Sequence, residues 1–312
     1  MSTLNRKLDR YIVLILPLFM LAGCLLHRPL HDASWLVQYL FMLLTLLSSM
    51  GLRKEDLLGI FRHPRPALAV LLIAHIGFPL LCYFVLQLVE LDASLRQGVL
   101  LAMMMPIGIT SIAWVALTGG HVGAAVSMVS LSTLLSPLLV PGALTLAWGS
   151  QIGVTEQASL VAGLVKLVLL PCAAGIVLGH FVPRTGGFKL AASLASKASL
   201  YLIVMLNAAA VMGIIGQIGD QLMKTAILIG AVILAGYVLN WTILFCLGIT
   251  SGMEVAYTYS GGVRNYTAGL VLAQLYFPPA VAVPVMIAIL LQHPSALLAH
   301  AFFSNRFKEP RL

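Results

Sequence analysis

Tyr257 to Gly269 reads Y-T-Y-S-G-G-V-R-N-Y-T-A-G, and Met103 to Trp114 reads M-M-M-P-I-G-I-T-S-I-A-W. Each stretch lies in the middle of an apolar segment long enough to cross a bilayer. Each also joins helix-weakening Gly or Pro to polar groups with no evident compensation. The hydrocarbon core of a bilayer tolerates irregular backbone only where it is buried in protein or lines a cavity. Two such interruptions in corresponding halves of one chain point to a binding site near the bilayer midplane.

The chain around them has 312 residues, 60% of them hydrophobic and only 9% charged, which is too little charge for a soluble surface. It reads as an all-α polytopic membrane protein surrounded by lipid. Apolar runs of about 17–25 residues give ten candidate spans, starting near Tyr11, Ser34, Pro66, Leu95, Val122, Ala158, Ser199, Leu222, Val255 and Ala280. The basic start followed by Leu21-Ala22-Gly23-Cys24 also admits a lipoprotein signal ending at Cys24, but removing that segment would break the repeat described below. The net charge of +8 would suggest nucleic acid for a soluble protein. Here it sets orientation, and no nucleic-acid partner is expected. Cys24, Cys82, Cys172 and Cys246 show neither CxxC nor Cys/His metal spacing, so no disulfide, metal or cofactor is expected.

Lys and Arg favour cytoplasmic connections. Arg6, Lys7, Arg10, Arg53, Lys54, Arg62, Arg65, Arg184, Lys189, Lys197, Arg306, Lys308 and Arg311 fall on one side, against Arg28, Arg96 and Lys224 on the other. Both termini are therefore expected in the cytoplasm, with the chain in the cell (inner) membrane. A faint repeat pairs Pro17 with Pro171, Pro137 with Pro294 and Pro106 with Gly261. Residues 1–150 and 151–312 would then be two five-helix halves joined through the polar stretch Gly149 to Gln157. Because five is odd, the second half enters upside down, giving an inverted-topology repeat.

A broken helix leaves free N–H groups where its second half starts and free carbonyls where its first half ends. Pro106, Gly108, Thr110 and Ser111 in the fourth span, and Ser260, Gly261, Gly262, Arg264 and Asn265 in the ninth, supply such breaks. A Pro kink beside a close-packed Gly is the plainer alternative at either position. Arg264 is the most informative residue, since an Arg near a span centre costs about 3 kcal/mol to insert on translocon scales. No carboxylate is expected at its depth, because Glu254 lies ten residues earlier, toward the membrane surface. Arg264 either meets a substrate anion or pairs with the free carbonyls. Lys166 reads as a snorkelling residue. His75 and His293, each near a Pro, read as satisfied core histidines or as proton carriers beside a cavity, which makes the proton a candidate coupling ion.

F-R-H-P-R (Phe61 to Arg65), L-S-T-L-L-S-P-L-L-V-P (Leu131 to Pro141), L-V-L-L-P (Leu167 to Pro171) and the G-G-x-R-N segment ending at Asn265 resemble the bile acid:sodium symporter family over nearly the whole chain. The resemblance implies ten helices in panel and core domains, crossed fourth and ninth helices, and elevator-like movement of organic anions with two sodium ions. The chain departs from that pattern at the sodium ligands. Ser260 stands where the family has an acid and Arg264 where it has an amide. Ile112 follows Ser111 in place of Asn, and Ala125 and Val129 replace hydroxyls. The expectation is a sodium-independent carrier of small organic anions, with Arg264 standing in for a sodium ion. Substrate contacts are expected from Thr110, Ser111, Ser260, Arg264, Asn265, His293 and His75. A conventional sodium symporter and a transport-dead anion-binding membrane protein are the other readings. Paired carboxylates and nucleophile–base motifs are lacking, so no enzyme is expected.

Overall fold

The computed structural model describes residues 12–51, 64–148, 154–182, 185–219 and 221–306. Arg6, Lys7, Arg10, Arg53, Lys54, Arg62, Arg184, Lys308 and Arg311 of the orientation set, the first residues of F-R-H-P-R and most of the 149–157 junction lie outside them. The described chain is helical. In order it forms α1 (Ile12–Leu25), α2 (Leu36–Ser49), α3 (Pro64–Gln87), α4 (Ala93–Met104), α5 (Thr110–Leu117) and α6 (Val122–Trp148). There follow α7 (Val154–Leu164, Val165–Leu169 and Leu170–Phe181), α8 (Gly186–Ile218), α9 (Gln221–Cys246), α10 (Ser251–Gly262), α11 (Tyr266–Tyr276) and α12 (Ala282–Arg306).

Among the described residues, six helices are long and apolar enough to cross a bilayer: Pro64–Gln87, Val122–Thr145, Ala158–Phe181, Gly186–Gly216, Gln221–Cys246 and Pro279–Ser304. Leu14–Leu25 and Leu36–Ser49 are apolar but shorter. Large apolar side chains such as Leu18, Leu25, Phe84, Ile227, Val238 and Phe245 stand exposed along these helices. Water would penalise such a surface, whereas lipid accepts it. This is a polytopic membrane protein.

Prolines explain the local irregularities. A ring at position i clashes with the carbonyl of i−4. Ile73–Gly77 in α3 and Val165–Leu169 in α7 accordingly open into π-turns just before Pro79 and Pro171. Pro106 goes further and ends α4: Met105 before it takes extended backbone (ψ 149°), as the residue preceding a proline prefers.

Two groupings emerge from the packing. α8 packs most extensively on α1 and α2, and α2 also packs on the last part of α7, Leu170–Phe181. α12 packs on α4, α9 and α11, while α10 packs on α5, α6 and α9.

Two expectations need correction. The helix expected from Ser199 starts at Gly186, with the Thr185 hydroxyl accepting from the Phe188 N–H as its cap. Lys189 and Lys197 therefore ride on a helix instead of a loop. Ser260, Gly261 and Gly262 are the last turn of α10, so the ninth-span break falls after them, at 263–265. Glu254, in the first turn of α10, is only 1% exposed and accepts a 2.8 Å hydrogen bond from the Trp241 indole, so its carboxylate is buried in protein.

Candidate functional site

The breaks between α4 and α5 and between α10 and α11 lie against each other. Ile107 and Arg264 form an isolated antiparallel bridge, in which the Gly108 N–H donates to Val263 O (3.0 Å) and the Asn265 N–H to Pro106 O (2.8 Å). Each break thus supplies the hydrogen bonds that the other lost, which meets the requirement that buried backbone groups be paired. The approach demands glycine: a Cβ on Gly108 would stand 2.6 Å from Arg264 O. A third helix ties the crossing down. The Ser132 hydroxyl, from α6, accepts from the Ile107 N–H (2.8 Å) and shares a second 2.8 Å hydrogen bond with His75 Nε2 of α3.

Arg264 is 2% exposed and ranks first by volume among the fully buried side chains. Its guanidinium carbon lies 5.9 Å from the centre of the Phe78 ring, a cation–π distance. Neither terminal nitrogen has a hydrogen-bond partner among the described residues. A charged donor left unpaired in protein costs more than the roughly 1–3 kcal/mol of a neutral one.

A cavity of about 120 Å³ adjoins the crossing. Thr110, the first residue of α5, and Tyr266 and Thr267, the first two of α11, line it, so two helix N-termini with partial positive charge converge there. Arg264, Asn265, Gln292 and His293 line it as well. The Gln292 amide donates to the Thr110 hydroxyl at 3.4 Å, while its carbonyl oxygen and His293 Nδ1 are buried without partners among the described residues.

Of the expected site residues, the cavity gathers Thr110, Arg264, Asn265 and His293. Asn265 is also a structural residue, since its side-chain oxygen caps α11 by accepting from the Ala268 N–H at 3.1 Å. His75 stands outside the lining and supports the crossing through Ser132. Ser260 donates back to Ala256 O at 2.8 Å within α10 and does not line the cavity. Ser111 is fully buried nearby, its hydroxyl unpaired among the described residues. Sequence reasoning missed Ser132, Gln292 and the α2 hydroxyls Thr45, Ser48 and Ser49. The last three recur at i, i+3 and i+4 in the last turns of α2, a periodic signal that was available.

An apolar helical bundle whose two interrupted helices exchange backbone hydrogen bonds beside a polar cavity belongs to the class of membrane transporters. The model of the Sodium Bile acid symporter family matches residues 39–221. The chain belongs to that family. It is 31% identical over 298 residues to the uncharacterized protein YbaS of Bacillus subtilis (strain 168), covering 95% of this chain and 97% of that one. The uncharacterized sodium-dependent transporter YocS of the same organism is 23% identical, over 88% of this chain and 86% of its own length. The probable sodium/metabolite cotransporter BASS1, chloroplastic, of Arabidopsis thaliana is 26% identical, over 86% of this chain and 68% of its own.

Proposed function

We propose that the protein is a secondary carrier of organic anions bearing a carboxylate or sulfonate, working by alternating access without sodium. Arg264 acts as a fixed cation at the position where sodium-coupled members hold a mobile one. The observation that carries this reading is the buried Arg264 guanidinium with both terminal nitrogens unpaired among the described residues. A substrate anion in the adjoining cavity offsets that charge, and the N-termini of α5 and α11 add to the attraction.

In this reading α1, α2, α7 and α8 form a panel against which the remaining core helices shift, carrying both breaks and the cavity between two sides of the cell (inner) membrane. Residues 1–150 and 151–312 are the two inverted halves in this reading, and each contributes one partner to the antiparallel bridge between Ile107 and Arg264. Both termini face the cytoplasm, and His293, at the cavity, is the group placed to couple a proton.

The name of the relative YocS favours a second reading, sodium coupling. Against it stand Ala125 and Val129, buried in the apolar core, whose side chains offer no oxygen to a metal ion. Uptake of organic anions by reconstituted vesicles separates the two. The carrier proposed here gives equal initial rates with and without an inward sodium gradient, whereas a rate rising steeply with that gradient means sodium coupling.

A further inference from the structure

α12 brings Ile289, Gln292 and His293, at i, i+3 and i+4 on one of its faces, to the lining of the central cavity. Gln292 is 7% exposed, and the function proposed above gives it no role. We infer that Gln292 is a specificity residue: its side-chain oxygen selects, among small organic anions, those that also carry a hydroxyl group. This rests on the anion-carrier reading and names the substrate class within it.

The residues lining the cavity leave polar atoms of opposite kinds unpaired. Both terminal nitrogens of Arg264 are donors without an acceptor among the described residues, and Gln292 Oε1 is an acceptor without a donor. An ionised carboxylate or sulfonate offers acceptors only. It can satisfy Arg264, but Gln292 Oε1 stays unpaired. A hydroxyl on the same molecule supplies the missing donor and removes the penalty of a buried acceptor left unmade. His293 Nδ1 is a weaker guide, because an imidazole nitrogen donates or accepts according to its tautomer. The Gln292 amide has its nitrogen on Thr110 Oγ1, at 3.4 Å. That orientation suits the surroundings, since Arg264 and the N-termini of α5 and α11 make the cavity positive and favour the carbonyl end of the amide there. Size narrows the class further. The cavity, at about 120 Å³, is smaller than the roughly 150 Å³ that admits benzene in a protein core, so it encloses a ligand of about six non-hydrogen atoms. The plainer role for Gln292 is a tie between α12 and α5 through Thr110. A tie alone changes stability and leaves ligand preference where it was.

Ligands built on one three-carbon frame separate the two roles. Lactate carries a hydroxyl donor, pyruvate a keto acceptor only, and propionate neither, while 3-hydroxypropionate sets its hydroxyl one carbon further from the carboxylate. Dissociation constants are read from the rise in melting temperature of the purified protein with ligand concentration. At least one of the two hydroxy acids is expected to bind about tenfold more tightly than propionate and pyruvate. Gln292→Met keeps a side chain of similar length without the oxygen and brings that ratio close to one, chiefly by weakening the hydroxy acid. Gln292→Leu serves if Gln292→Met fails to fold. Equal binding of the four anions, tighter binding of pyruvate, or a hydroxyl preference that survives in the Gln292 variant overturns the selector and leaves the anion carrier standing. Lactamide and propionamide, the uncharged counterparts, isolate the other failure. A preference for lactamide with no binding of any of the four anions would contradict the anion reading alone, and no binding by any of these ligands would contradict both.

Discussion

Arg264 is the residue on which stability and function pull apart. Its burial without a partner for either terminal nitrogen among the described residues is a cost to the unliganded protein. Arg264→Gln removes that cost, so the unliganded variant should melt no lower than the native protein. It should also lose the stabilisation that an organic anion confers, about 2.7 kcal/mol at a hundred times the dissociation constant. A lowered melting temperature together with retained anion binding would mean that the guanidinium is a structural strut. Gly108 answers to geometry instead of charge. Gly108→Ala sets a methyl group 2.6 Å from Arg264 O, and the backbone there cannot yield without breaking the bridge. Overpacking of this kind costs about 1–3 kcal/mol, to be read as a lower melting temperature in detergent. A variant as stable as the native protein would show that the two breaks can slide apart freely.

At the scale of elements, the crossing stands on a few hydrogen bonds that can be removed singly. Ser132→Ala leaves the Ile107 N–H and His75 Nε2 without their partner and should cost about 1–3 kcal/mol per orphaned group. Asn265→Ala removes the cap of α11 and should cost about 1 kcal/mol, while Asn265→Asp keeps an accepting oxygen and most of that stability. Thermal melts of the three variants check both expectations. The interruptions themselves are legible in the sequence, because Pro106 and the Gly-Gly-x-Arg-Asn run violate what a membrane helix needs. Their mutual pairing is not, since it joins Gly108 to Val263 and Asn265 to Pro106, partners in opposite halves of the chain. The start of α8 escapes a reading by apolar runs because Lys189 and Lys197 interrupt the run without interrupting the helix. A helix tolerates lysines whose side chains reach its surface, and here Lys189 is exposed and Lys197 half-buried. The burial of Glu254 is hidden for a related reason: its partner, Trp241, belongs to α9, and a single apolar run gives no sign of it.

On the scale of the whole molecule, an apolar helical bundle holds a fixed buried cation, Arg264, at the point where two interrupted helices cross. The low charge content makes the membrane assignment legible from composition alone. Family resemblance supplies the expectation of crossed helices, and the backbone exchange between 106–108 and 263–265 gives that crossing its atomic form. A mobile metal cation would make anion binding depend on the salt present; a fixed side chain does not. The most direct measurement is therefore the anion-induced shift in melting temperature of the purified protein, taken across a panel of carboxylates and sulfonates in sodium and in potassium buffer. A fixed cation predicts the same shift in both salts for the native protein and none in either for Arg264→Gln. A shift that requires sodium would contradict it.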